Sequence, residues 1–181
     1  MNAIQQQDSD TSLDGLIDLE HYPIHRLTEA RGRELMRQCR EQLAQDGCVV
    51  LEGFVPQEAL ARLEQETERL SPLAHYNQTV TNPYNSDGDD SLPASHPRNR
   101  FDDRTNGFVA GDRIGSDTLI RQVYSHPDFQ HFIASVVGMD DIHQYADPLA
   151  DLVVNVLRDG CQHPWHYDTN EFIVTMMTRQ S

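Results

Sequence analysis

The sequence predicts an α+β fold in which helices come first and an antiparallel sheet or barrel follows. Three observations lead there. Apolar residues recur with helical spacing over 28–70 and again over 116–138, and after that they fall into short alternating runs. Asp147-Pro148 and Asp159-Gly160 separate those runs as turn signals. Helices followed by strands, with no internal repeat, give segregated layers rather than a βαβ sheet.

Each element follows from its own pattern. Residues 1–14 are polar and acidic and read as a disordered tail. "TEARGRELMRQCREQLAQDG" opens on Thr28 as a cap, carries Leu35, Met36, Cys39 and Leu43 on one stripe, and stops at Gly47. "CVVLEGF" reads as a short buried strand. "PQEALARLEQETERL" is a second helix, with Pro56 at its start and Leu60, Leu63 and Leu70 facing inward. Residues 71–116 show neither period and are rich in Asn, Asp, Gly, Ser and Pro, as a functional loop or lid, or a disordered segment, would be. "SDTLIRQVYSHPDFQHFIASVVGM" gives two short helices broken before Pro127 and ended at Gly138. "DIHQYA", "ADLVVNVL" and "HPWHYDTNEFIVTMM" are the expected strands. A single domain is expected to run from residue 15 to 181, with its loop or lid at about 71–116.

Composition removes several function classes. The chain has 14 basic and 29 acidic residues and a net charge of −15. Such a surface repels phosphate backbones and anionic lipid, so neither nucleic acid nor membrane is an expected partner. The arginines at 98, 100, 104 and 113 are interleaved with Asp102, Asp103 and Asp112 and form no basic patch. No apolar run is long enough to span a bilayer. Three widely spaced cysteines, at 39, 48 and 161, build no disulfide framework and no metal knuckle, and cytoplasmic residence is the expectation.

The chemistry concentrates in "GCQHPWHYDTNEFIVTMMTRQS", residues 160–181. Alternate residues of an extended strand face the same side, so His166 and Asp168 project together while Tyr167 points away. One imidazole and one carboxylate on a rigid segment make two adjacent corners of a coordination sphere. A second, distant histidine would complete the 2-His-1-carboxylate face that holds iron(II) and leaves positions open. Trp165 and Tyr167 read as packing residues, and Met176 and Met177 as strand core. The histidines at 21, 25, 75, 96, 126, 131 and 143 have no ligand spacing, and the acidic run at 87–90 lacks the spacing of a calcium loop.

At these residues the chain resembles a known superfamily. "QLAQDGCVVLEGFVPQEALARLEQE" is similar to the N-terminal module of the phytanoyl-CoA-hydroxylase-like iron(II)/2-oxoglutarate oxygenases. "LVVNVLRDGCQHPWHYDTNEFIVTMMTRQ" resembles their central strands, nearest the branch of free-amino-acid hydroxylases and halogenases. The two segments cover about a third of the chain. The resemblance implies a double-stranded β-helix (a jelly-roll barrel) flanked by N-terminal helices. It also implies Fe(II) as cofactor, with 2-oxoglutarate and O2 as cosubstrates for C–H oxidation. By position, His166 and Asp168 match the first two metal ligands. Asn155, on the preceding strand, is a candidate contact for the cosubstrate, and His163 matches a position that touches substrate in amino-acid-modifying members. Halogenating members carry a small residue where Asp168 stands, so the resemblance implies a hydroxylase acting on a small polar metabolite such as a free amino acid.

The match has one departure. Members carry a second histidine tens of residues after the His-x-Asp pair and an arginine beyond it for 2-oxoglutarate. Here thirteen residues follow Asp168 and none is a histidine, while Arg179 comes too early to be that arginine. The sequence therefore looks C-terminally truncated, with an incomplete barrel. Two other readings stand beside the enzyme: a non-catalytic remnant that pairs exposed strand edges with another copy as a homodimer, and a zinc hydrolase built on His163, His166 and Asp168.

Overall fold

Gly47 ends the first helix, α1 (Ala30–Asp46), with a left-handed turn (φ 74°) whose N–H reaches back to the Leu43 carbonyl at 2.9 Å. The computed structural model describes residues 12–179. In them the chain is mixed α/β, with four helices and two small antiparallel sheets. Two compact units form: one holds the residues through Leu63 together with Ser116–Gln144, the other Glu64–Gly115 with the residues from Tyr145 onward. The second helix, α2 (Gln57–Leu70), runs through the boundary.

In the first unit α1 buries Leu35, Met36 and Cys39, three of the four predicted stripe positions, and Leu43 is half-buried. The helix starts after Glu29 rather than at Thr28, and no side chain caps it. Helices α3 (Leu119–Ser125) and α4 (Pro127–Val137) break and end where the Pro127 and Gly138 signals put them. The core gathers on Phe54, whose ring lies 5.3 Å from Tyr22, 6.2 Å from Phe129 and 6.3 Å from Phe132. The Arg40 guanidinium donates to the Ser135 carbonyl at 2.7 and 2.9 Å, tying α1 to the last turns of α4. Of the expected tail, residues 1–11 lie outside the described residues, and Leu13 is buried.

"CVVLEGF" is not a strand. Its exposed Val50 and Cys48 pair with no ladder, while the Phe54 carbonyl accepts from Asp18 N–H at 2.9 Å and the Glu52 carbonyl from the Tyr22 hydroxyl at 2.5 Å. A short apolar run without a neighbouring strand gives its backbone bonds to whatever lies beside it.

In the second unit a three-stranded antiparallel sheet has the order β1 (His75–Tyr76), β4 (Gly107–Val109), β5 (Val154–Val156). A separate ladder pairs β2 (Thr79–Thr81) with β3 (Asp102–Arg104). Four of these five strands lie in the stretch that showed no period. Tyr76 faces Gly107 across the β1–β4 pair, and a Cβ at Gly107 would come 2.5 Å from the tyrosine ring. Arg158 covers the same ring at 4.3 Å from its centroid. On α2 the buried residues are Ala59, Leu63, Glu66, Thr67 and Leu70, so the inner face begins at Ala59 and not at the half-buried Leu60.

Two of the three expected late strands carry no ladder: "DIHQYA" is irregular, and the chain over 163–174 is unpaired. Among the described residues no closed barrel forms. Within this segment Tyr167 bonds through both of its peptide groups to the 83–85 loop instead of to a neighbouring strand. No helix among the described residues is long and apolar enough to cross a membrane.

Candidate metal centre

A tight turn closed by Cys161 N–H on the Arg158 carbonyl (2.8 Å) delivers the chain from β5 to the histidines. Two attachments then hold the segment. Upstream, the Gln162 carbonyl accepts from the N–H groups of Thr105 and Asn106 at 3.0 and 3.2 Å, and Gln162 N–H donates to the Thr105 hydroxyl at 2.9 Å. Downstream, Tyr167 N–H donates to the Pro83 carbonyl at 2.7 Å. His163 and His166 lie between these two points.

His166 and Asp168 come together on one side. The imidazole Nε2 stands 3.3 Å from the Asp168 Oδ1, with the histidine 23% and the aspartate 47% exposed. Tyr167 turns the other way and stacks on Tyr84 with ring centroids 5.2 Å apart. The Nδ1 of His166 lies 2.9 Å from the Pro164 carbonyl, which can only accept. That contact gives Nδ1 an acceptor for a ring proton and leaves Nε2, facing Asp168, as the nitrogen on the side open to an ion.

These donors fit a metal ion. Two ligand atoms about 2.1 Å from one cation and at right angles to each other lie about 3.0 Å apart, close to the observed spacing. A backbone carbonyl on the far nitrogen is the usual support of a metal-binding histidine. The pair supplies two corners. Among the described residues no group of three or more His, Cys, Asp or Glu side chains is placed to hold an ion.

His163 stacks on His166, centroids 4.5 Å apart and planes 21° from parallel, and its Nε2 is buried without a hydrogen-bond partner. Burial first, and then the positive charge of Arg104, hold its pKa below the ordinary imidazole value, with Asp168 opposing weakly. The shift favours the neutral imidazole. Asn155, exposed on β5 opposite Phe108, accepts through Oδ1 from the Asn106 amide at 3.2 Å. Asn106, itself buried, accepts from Arg104 Nε at 3.2 Å. A polar chain Asn155–Asn106–Arg104 thus ends at the cation that acts on His163. Sequence reasoning passed over Arg104 and Asn106. The only available signal was the alternation that places 104 and 106 on one side, and it was hidden in a stretch of low periodicity.

Other expectations change. Trp165 is 92% exposed and Met177 71% exposed, so neither is a core residue. Arg179 pairs with Glu64 at 3.4 Å and Glu68 at 3.6 Å on α2. Two surface clefts of about 350 and 300 Å³ are lined by residues between Asp14 and Gln38, and no candidate site residue lines either.

Residues 31–180 match the model of the halogenase D family, and the chain belongs to that family. Neither a curated protein nor a solved structure matches it.

Proposed function

We infer that the protein is an iron(II)- and 2-oxoglutarate-dependent oxygenase that hydroxylates a C–H bond of a small polar metabolite, a free amino acid or its derivative. The observation that carries this reading is the His166 Nε2 and Asp168 Oδ1 pair, 3.3 Å apart on one side of the segment. Membership of the halogenase D family supports it at the level of enzyme class.

Bound Fe(II) would supply the activation of O2 that such an oxidation needs, with 2-oxoglutarate as the co-reductant. The chain's residues have distinct tasks. His166 offers the Nε2 lone pair, and the Pro164 carbonyl gives a proton on the other nitrogen an acceptor. Asp168 offers a carboxylate oxygen where a halogenating relative would leave room for halide, and this supports hydroxylation. Asn155, on the exposed face of β5, is assigned to the cosubstrate. His163 can donate one ring N–H and the nearby Arg104 adds positive charge, a combination that suits the carboxylate of an amino-acid substrate. His163 therefore binds substrate in this reading and takes no part in holding the metal.

Anaerobic addition of Fe(II) and then 2-oxoglutarate should produce a weak visible charge-transfer band. A panel of amino acids should include one that stimulates succinate formation. Absence of the band from iron-loaded protein would overturn the proposal.

A further inference from the structure

We propose that Asn85 is a positioning residue for the metal pair: its loop takes the place of a neighbouring strand and sets the backbone at Tyr167 so that His166 and Asp168 face the same way. The proposal rests on the reading of those two side chains as ligands.

Tyr167 is the residue between them, and the loop holds both of its peptide groups. Its N–H donates to the Pro83 carbonyl at 2.7 Å, and its carbonyl accepts from the Asn85 amide at 3.4 Å. Its ring stacks on Tyr84 between those two residues. A residue bonded through both N–H and C=O on one side, with its ring packed on the same element, cannot rotate without breaking all three contacts. Rotation at 167 is the motion that would swing Asp168 away from His166, because side chains alternate along an extended chain.

The loop is built to hold this position by itself. Asn82 is fully buried and spends all its polar capacity on the loop. Its amide donates to the carbonyls of Ser86 and Arg98 at 2.8 and 2.6 Å, and its Oδ1 accepts from the N–H groups of Tyr84 and Ser86 at 3.0 and 3.3 Å. Asn85 is the one non-glycine residue with positive φ (50°) among the described residues. Asparagine tolerates that conformation better than most residues. Two contacts keep it there: its N–H donates to the Asn82 carbonyl at 3.0 Å, and its Oδ1 accepts from the Thr81 hydroxyl at 3.0 Å. With Oδ1 occupied from β2, the amide nitrogen is aimed at Tyr167. The amide donor toward Tyr167 is not needed to close the loop, which the Asn85 N–H and the Asn82 side chain already do.

The test uses the full chain, with Co(II) as the probe and two readouts: its d–d absorption on titration, and the hydrogen-exchange rate of the Tyr167 amide. Asn85→Gly keeps the left-handed backbone and removes the amide. Asn85→Asp keeps the acceptor for Thr81 and removes the donor. Both variants should bind Co(II) roughly tenfold more weakly, with displaced absorption maxima and faster Tyr167 exchange, while the melting temperature stays within a few degrees. A purely structural role would leave the absorption maxima of bound Co(II) unmoved. Unchanged affinity and spectrum in both variants, with binding abolished in His166→Ala, would overturn the positioning role alone. If His166→Ala binds Co(II) like the parent protein, the ligand assignment fails and the proposal falls with it.

Discussion

His163 and His166 stack at 4.5 Å, yet only His166 has a partner on its far nitrogen; the buried Nε2 of His163 has none. On the proposed reading the stacked rings have different tasks, His166 as a ligand and His163 as a substrate contact, and substitution should separate them. His166→Ala should lower Fe(II) affinity by at least tenfold, since a ligand is lost. His163→Ala should change Fe(II) affinity less than threefold and raise the KM of the amino-acid substrate instead. Metal titration of both variants, followed by succinate assays at varied substrate, checks the split. Equal metal loss in both would assign His163 to the coordination sphere.

Asp168 is about half exposed, so its removal leaves an open position and not an apolar hole. Asp168→Gly should abolish hydroxylation. It should also make iron binding depend on added chloride, because an anion can then occupy the vacated corner. Titrations with and without chloride measure this, and indifference to chloride would argue against the carboxylate as a ligand.

Gly107 has a tyrosine ring where a side chain would start. Gly107→Ala must displace Tyr76 from beneath Arg158, and it should cost about 1–3 kcal/mol of stability. Denaturant unfolding of the variant provides the number. A neutral result would mean that the ring moves freely, contrary to its packing between β4 and Arg158.

Alkaline stability should bear the mark of Tyr22. Burial, and then the charges of Asp18 and Glu52, raise its pKa above the ordinary tyrosine value. Burial raises that of the Cys39 thiol in the same direction. Both groups release protons more readily once unfolded. Their contribution is therefore intact below the ordinary thiol and phenol range, and it is lost as pH climbs toward the raised folded values. Stability from pH 8 upward should fall less steeply in Tyr22→Phe than in the parent, although the variant loses about 1 kcal/mol at neutral pH with the bond to Glu52.

What could be read from the sequence divides by the range of the physics involved. The helices were legible because their signals are local: the Pro127 break and the Gly47 and Gly138 stops sit where the chain needs them. The two-residue alternation likewise put His166 and Asp168 on one side. The strands were not legible. A ladder such as Thr79–Thr81 with Asp102–Arg104 joins, through the backbone, residues more than twenty apart whose mostly polar side chains carry no apolar rhythm. "CVVLEGF" and 163–174 have the right composition but lack partners, and partners are a tertiary property. Arg104 and Asn106 were missed for the same reason.

The bare indole at position 165 has a practical use. The chain contains one tryptophan, and it is 92% exposed immediately before His166. Its emission therefore originates at a single, fully wetted location next to the proposed ion. A blue shift on adding a small molecule would mean that something has come to shield that spot from water, and quenching by a coloured cation would report proximity. The intrinsic optical signal of this chain is, without any label, a local gauge of the chemistry proposed for it.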